Sequence, residues 1–252
     1  MDLDLDLSGL EATLLAAVRM TAFIVVAPPF SYRAFPGRVK AMLALGLALA
    51  VAPRVSPGYE SLATGPFVLA LVLEVVVGAV LGFLVLLVFS AVQAAGSLID
   101  LFGGFTLAQA FDPQSMINGA QFTRLFQMTA LALMFASGGY QLIIGGLTRS
   151  FDAVPLGLGI DLADPVSLMT NGVTQMFLAT LQIAGPLCVV LFLADVGLGL
   201  LSRVAPALNA YAMGFPLKIL MTVMLAGGVF LALPSVVQNL SGDAADLLTG
   251  VR

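Results

Sequence analysis

Four stretches of this chain, Val75 to Ile99, Leu125 to Thr148, Pro165 to Ala194 and Ile219 to Gly242, hold no Asp, Glu, Lys or Arg. Each is long enough to cross a hydrocarbon layer of about 30 Å, which takes ~20 helical residues. Backbone N–H and C=O groups must pair internally in lipid, so spanning segments are helices or strands of a closed barrel. These runs are too continuous for the period-two alternation of barrel strands. The pattern predicts an all-α membrane protein with about six apolar helical segments of uneven length, in a single integral membrane domain over residues 1–252.

Read in order, the first segment runs from Leu10 to Phe30, interrupted by Arg19, and ends at Pro28-Pro29, where a helix must kink or stop. After the basic cluster Arg33, Arg38 and Lys40, Ala41 to Pro53 offers only 13 residues, about 20 Å of helix and too short for a crossing. With Met20 to Phe30 it is expected to form a hairpin that does not cross. Beyond a Pro/Gly loop, Phe67 to Phe102 reads as one helix of 36 residues, about 54 Å and too long for a single slab. Gly103 to Gly119 is a Gly-rich, polar interruption, and Gln121 to Thr148 reads as the next span. Asp152 to Pro165 is a loop, and Val166 to Ser202 is again over-long, with Pro186 in its middle predicting a kink. Pro216 to Val237 is the last span, followed by a polar tail from Ser241 to Arg252. The Lys and Arg bias between successive loops favours an outside N-terminus.

Composition supports a chain covered by lipid or by partner subunits: 60% of residues are hydrophobic and 10% charged, with a mean hydropathy of +1.07. A soluble globule of this make-up would leave large apolar patches in water. The net charge of −4, with basic residues scattered singly, carries no footprint for nucleic acid. Met1 to Leu7 alternates Asp and Leu and lacks the positive start of a secretory signal, so the first apolar run is expected to stay in place. The single cysteine, Cys188, excludes an internal disulfide and reads as a small buried hydrophobe, and with no histidine any metal site would have to be built of carboxylates. No cofactor or metal is predicted.

Two charges stand at membrane depth, Arg19 on the first segment and Glu74 on the third. Such groups face a bundle interior or an aqueous cavity, so they are either a structural ion pair or a relay for protons, and the thinness of a set of one acid and one base favours the structural pair. Asp100 and Asp195, at segment ends, read as interfacial. Gly78 and Gly82 form a GxxxG step suited to close helix packing. The run Gly157 to Asp161, GLGID, is one residue out of register with the GxGD of intramembrane aspartyl proteases, and Lys218 has no serine placed by a motif. The chain is not expected to be an enzyme.

Three segments carry a resemblance. Gly197 to Lys218 (GLGLLSRVAPALNAYAMGFPLK) places Gly199, Leu200, Leu201, Arg203, Pro206, Leu208, Asn209, Gly214, Phe215, Pro216 and Leu217 in the pattern of the FliR/SctT/SpaR family of type III export subunits. Pro28 to Lys40 (PPFSYRAFPGRVK) resembles that family's P-x-x-S-x-R-x-x-P-x-R-V-K, carried by Arg33, Pro36, Arg38 and Lys40. Gly104 to Asn118 (GFTLAQAFDPQSMIN) resembles its G-[LFM]-x-x-A-x-x-x-D-P loop. Arg19 matches no charge shared by the family. Gly214-Phe215 in place of a Ser-Met pair resembles the flagellar branch rather than the virulence injectisome.

The resemblance implies a subunit of the flagellar export gate in the bacterial inner membrane, at the flagellar basal body. Its partners would be FliP- and FliQ-like subunits, an FlhB-like subunit, membrane lipid and unfolded export substrates. It implies bent helical hairpins packed on those partners, which accounts for segments that fit no single slab. It also implies that the loop holding Gly104, Phe105, Leu107, Ala108, Phe111, Asp112 and Pro113 lies in the pore lumen as a plug. A Gly-containing loop with apolar side chains can occlude a conduit without a rigid fold. The rival reading is a small-solute transporter, which would show an internal repeat with broken helices at matching positions. Pro28-Pro29 and Pro186 do not match in that way.

Overall fold

The computed structural model describes residues 7–32, 35–106, 121–157, 163–205 and 210–250. These form seven helices and, among the described residues, no strand: α1 (Leu7–Val26), α2 (Gly37–Val55), α3 (Thr64–Phe102), α4 (Gln121–Ala136), α5 (Gly139–Ala153), α6 (Ala163–Val204) and α7 (Ala210–Gly250). Four of them are long and apolar enough to cross a membrane, or up to five spans if α4 and α5 are taken together. The protein is an all-α membrane protein. Helices α3, α6 and α7 hold 39, 42 and 41 residues, about 58–63 Å each against a ~30 Å hydrocarbon core.

Three boundaries differ from the hydropathy reading, each for a local reason. Helix α2 has 19 residues rather than 13, because Pro36 is extended (φ −57°, ψ 145°) and its carbonyl accepts the Val39 and Lys40 N–H groups at 2.9 and 3.2 Å. The basic residues Arg38 and Lys40 thus belong to the first turn of the helix. The apolar run from Gln121 to Thr148 is two helices, since Gly138 takes a left-handed conformation (φ 74°) that stops α4 and opens α5. Glycine does so without a Cβ clash. The tail is helical to Gly250: Leu240, Ala244 and Leu248 recur every fourth residue and are all buried, which turns a polar-looking segment into an amphipathic one.

The chain divides into two compact units. The first comprises α1, α2, α3 to Val88, α5, the start of α6 to Val173 and the end of α7 from Leu240. Its core includes Leu15, Met20, Phe23, Leu81, Leu84, Ile143 and Leu147. Gly78 and Gly82 bring α3 against α1: a Cβ on Gly78 would intrude on the Arg19 carbonyl, and one on Gly82 would lie 2.9 Å from the Val26 Cβ. Helix α2 is buried only along Ala44, Ala48 and Val51. Leu248 of α7 lies over Gly146 of α5, at 3.0 Å from where a Cβ would stand.

The second unit holds α3 from Phe89, α4, α6 from Thr174 and α7 to Asn239. Ile99, Phe126 and Met134 are fully buried in it, and the Phe126 ring lies 5.2 Å from that of Phe230. Thr180 on α6 donates to the Ala91 carbonyl of α3 at 3.3 Å. Coverage is uneven between helices. Half of the apolar window of α3 is buried, against 22% in α6 and 17% in α7, where Phe177, Leu181, Phe192, Leu220, Val223 and Met224 are exposed.

Candidate functional site

Helix α3 ends by winding onto a glycine pair. The Gly103 N–H still bonds the Ile99 carbonyl at 2.8 Å, and Gly104 then turns left-handed at φ 81°. A side chain here would be strained by the backbone and would press on Phe215, whose ring stands 3.3 Å from an ideal Cβ. The turn therefore delivers Phe105 to the first turn of α4, where its ring meets Phe122 edge-on at 5.2 Å and 69°. Phe122 in turn lies 6.2 Å from Phe126. Gly104 and Phe105 from the loop motif and Phe215 from the motif near α7 are brought together in this second unit. Leu107, Ala108, Phe111, Asp112 and Pro113 lie outside the described residues, as do Arg33, Pro206 and Asn209.

Beside this aromatic row lies a carboxylate that the sequence reading treated as interfacial. Asp100 is fully buried, and it accepts from the Phe122 N–H at 2.9 Å, the Thr123 N–H at 2.7 Å and the Thr123 hydroxyl at 2.8 Å. The first N–H groups of a helix have no partner within it. Here α3 supplies one. No sequence rule flags this, because the donors are backbone groups more than twenty residues away; the only hint is a lone acid at the end of a long apolar run.

In the first unit, Arg19 and Glu74 are both fully buried and paired: Arg19 Nε reaches Glu74 Oε2 at 2.5 Å and Nη2 reaches Oε1 at 3.0 Å. The two-pronged geometry matches a planar guanidinium to a planar carboxylate. Arg19 Nη1 donates further to the Val154 carbonyl at 2.9 Å and more weakly to that of Ser150, and the guanidinium carbon sits 4.2 Å from the centre of the Phe151 ring. Glu74 Oε1 accepts the Gly157 N–H at 3.0 Å. Among the described residues, Glu74 accepts each of these bonds, and together the two residues tie α1, α3 and the chain leaving α5.

Nearby, Glu11 accepts the Leu62 N–H at 3.2 Å. The buried Tyr59 hydroxyl has no hydrogen-bond partner among the described residues. Burial, and then the charges of Glu11 and Glu74, push its pKa up.

In the second unit, Asp195 of α6 pairs with Lys218 of α7, Nζ lying 2.6 Å from Oδ2. The pair is only partly covered, with the Asp195 side chain 45% exposed. Arg203 stands in the last turn of α6, where a cation complements the partial negative charge of the helix end.

Residues 10–244 match the family described as bacterial export proteins, family 1. The chain belongs to that family. Among relatives of this export protein, the flagellar biosynthetic protein FliR of Escherichia coli (strain K12) is 31% identical over 246 residues, covering 97% of this chain and 94% of the relative. FliR of Bacillus subtilis (strain 168) is 29% identical over 215 residues, with 82% of each chain covered. The surface presentation of antigens protein SpaR of Salmonella typhimurium is 31% identical over 244 residues, covering 92% and 90%. The export protein is a multi-pass protein of the bacterial inner membrane, which agrees with its four to five span-length apolar helices.

Proposed function

We infer that this chain is a subunit of the flagellar type III protein export apparatus, forming with FliP- and FliQ-like subunits, beside an FlhB-like one, the conduit through which unfolded flagellar proteins leave the cytoplasm. The end-to-end match to flagellar FliR carries the reading. Its role is that of a wall and a gate, without catalysis of its own. The Arg19–Glu74 pair supports the structural half of this role: both groups are buried and their bonds are spent on each other and on backbone atoms of Val154 and Gly157. The sparse cover of α6 and α7 favours a chain that is completed by partner subunits and lipid.

Within that reading, the segment from Gly104 to Pro113 is the plug of the idle pore, and the short turn Gly104-Phe105 is its root. The injectisome is the second reading, favoured by the match to SpaR at the same identity. A tagged chain purified from the membranes of its own bacterium tests both. FliP- and FliQ-like subunits encoded with flagellar genes are expected to come with it. Recovery alone or as a homo-oligomer contradicts the gate, and recovery with injectisome subunits favours the second reading.

A further inference from the structure

We propose that α2 turns its outer face to the bilayer as an anionic-lipid contact, with Arg38 and Lys40 holding phospholipid headgroups and the apolar stripe beyond them lying among the acyl chains. The inference goes beyond the export role and rests only on the chain being a membrane protein. Helix α2 reverses the usual arrangement of an amphipathic helix. The line that packs inward consists of the small residues Ala44 and Ala48, continued by Val51, whereas Met42, Leu45 and Leu49 on the outside are each more than half exposed. A helix in water buries its large apolar side chains. A helix in lipid gains nothing by hiding them, and small residues let it approach its neighbour closely.

Charge complementarity selects the occupant. Arg38, Met42, Leu45 and Leu49 follow one another at steps of four, three and four residues, so the cation heads the same stripe that the apolar side chains form. Arg38 is exposed and Lys40 half-buried. Neither has an ion-pair partner among the described residues, and α2 itself holds no Asp or Glu. The third cation of the helix, Arg54, is already paired with Asp152 at 2.8 Å. A protein partner would have to bring acids to both remaining cations, whereas a leaflet of anionic phospholipid offers phosphate along its whole surface. Long basic side chains reach that surface while their stems stay on apolar ground. From Arg38 to Leu49 the helix rises about 16 Å, which carries the stripe from headgroup level to the middle of a ~30 Å core.

The test uses the full chain in the membranes of its own bacterium. A photo-cross-linking benzoylphenylalanine replaces Met42, Leu45 or Leu49 in turn, the cells are irradiated, and adducts on the isolated chain are read by mass spectrometry. Phospholipid adducts are expected to outnumber protein adducts at all three positions. In parallel, the purified complex is offered equal amounts of phosphatidylglycerol and phosphatidylethanolamine, and native mass spectrometry counts the lipid bound to wild type, Arg38→Gln, Lys40→Gln and the charge-keeping Arg38→Lys. Each neutral variant is expected to retain several-fold less phosphatidylglycerol, with phosphatidylethanolamine unchanged and Arg38→Lys near wild type. Cross-links chiefly to another protein chain, whether a different subunit or a second copy, overturn the proposal and make α2 a protein interface. It is overturned equally by the absence of phospholipid adducts at all three positions, or by equal phosphatidylglycerol on wild type and both neutral variants. Failure of both neutral variants to assemble also overturns it, since the cations would then serve folding and not lipid.

Discussion

Glu74 and Asp100 lie on the same helix, and both are fully buried carboxylates, yet they are balanced in opposite ways. Glu74 in the first unit faces a guanidinium that fills two of its acceptor sites. Among the described residues, Asp100 in the second unit faces only the neutral donors of a helix start. A charge pair is a tie between two side chains, and deleting either strands the other in an apolar core. A carboxylate on a helix terminus is a cap, and deleting it strands N–H groups that water can partly reach once the turn loosens. The first arrangement holds a core together. The second fixes where α4 starts against α3.

The largest expected effect follows from the tie. Arg19→Leu or Glu74→Leu alone leaves an unpaired buried charge, which costs about 3–5 kcal/mol, and the yield of assembled complex is expected to fall sharply. The double change to leucines removes both charges and is expected to recover much of that yield, since apolar replacement of a buried pair is often neutral. Normal assembly of the single variants combined with abolished export would break the comparison, because the pair would then serve transport and not cohesion.

Next comes Gly78→Ala. The added Cβ meets the Arg19 carbonyl, a backbone atom that cannot rotate away, so a loss of about 1–3 kcal/mol is expected. It is read as a lower thermal midpoint of the purified complex. Gly46→Ala, where nothing lies within 4 Å, is the matched control and is expected to leave the midpoint unchanged or slightly raised. Equal effects at the two positions would deny that α1 and α3 meet at the glycine step.

Gly138→Ala is expected to cost about 1–2 kcal/mol, because φ 74° is left-handed backbone that a Cβ resists. Circular dichroism melting of the complex checks it. A change near zero would mean that α4 and α5 can continue as a single helix.

That break shows where sequence reading succeeds and where it stops. The apolar runs and the Gly/Pro punctuation located most helices, and the misfit of their lengths to a bilayer was visible before any coordinates. The stop at Gly138 was hidden because the apolar composition continues across it. The helical tail was hidden because Ser241, Gly242 and Asp243 mask the fourfold spacing of Leu240, Ala244 and Leu248. Arg19 and Glu74 stood out because charge is rare in an apolar segment, although the backbone carbonyl of Val154 that completes their cage has no signature in sequence. Asp100 was equally visible as a charge, but its partners are backbone groups distant in the chain, which no pattern of side chains encodes.

The smallest effect is expected at the edge of the tie. Tyr59→Phe removes a buried hydroxyl that has no hydrogen-bond partner among the described residues, so the variant is expected to be as stable as wild type or more stable by up to about 1 kcal/mol. A clear loss of stability would show that the hydroxyl is bonded in the assembled complex and that the cage around Glu74 extends to it.

Secretion itself tests the account most directly. In the bacterium that carries this chain, the coding sequence is deleted and then restored in place, and flagellar proteins released into the medium are quantified beside those retained in the cell. The account predicts that release of flagellar export substrates stops while they accumulate inside, and that it returns with the restored gene. Undiminished release of flagellar proteins from the deletion strain would contradict it.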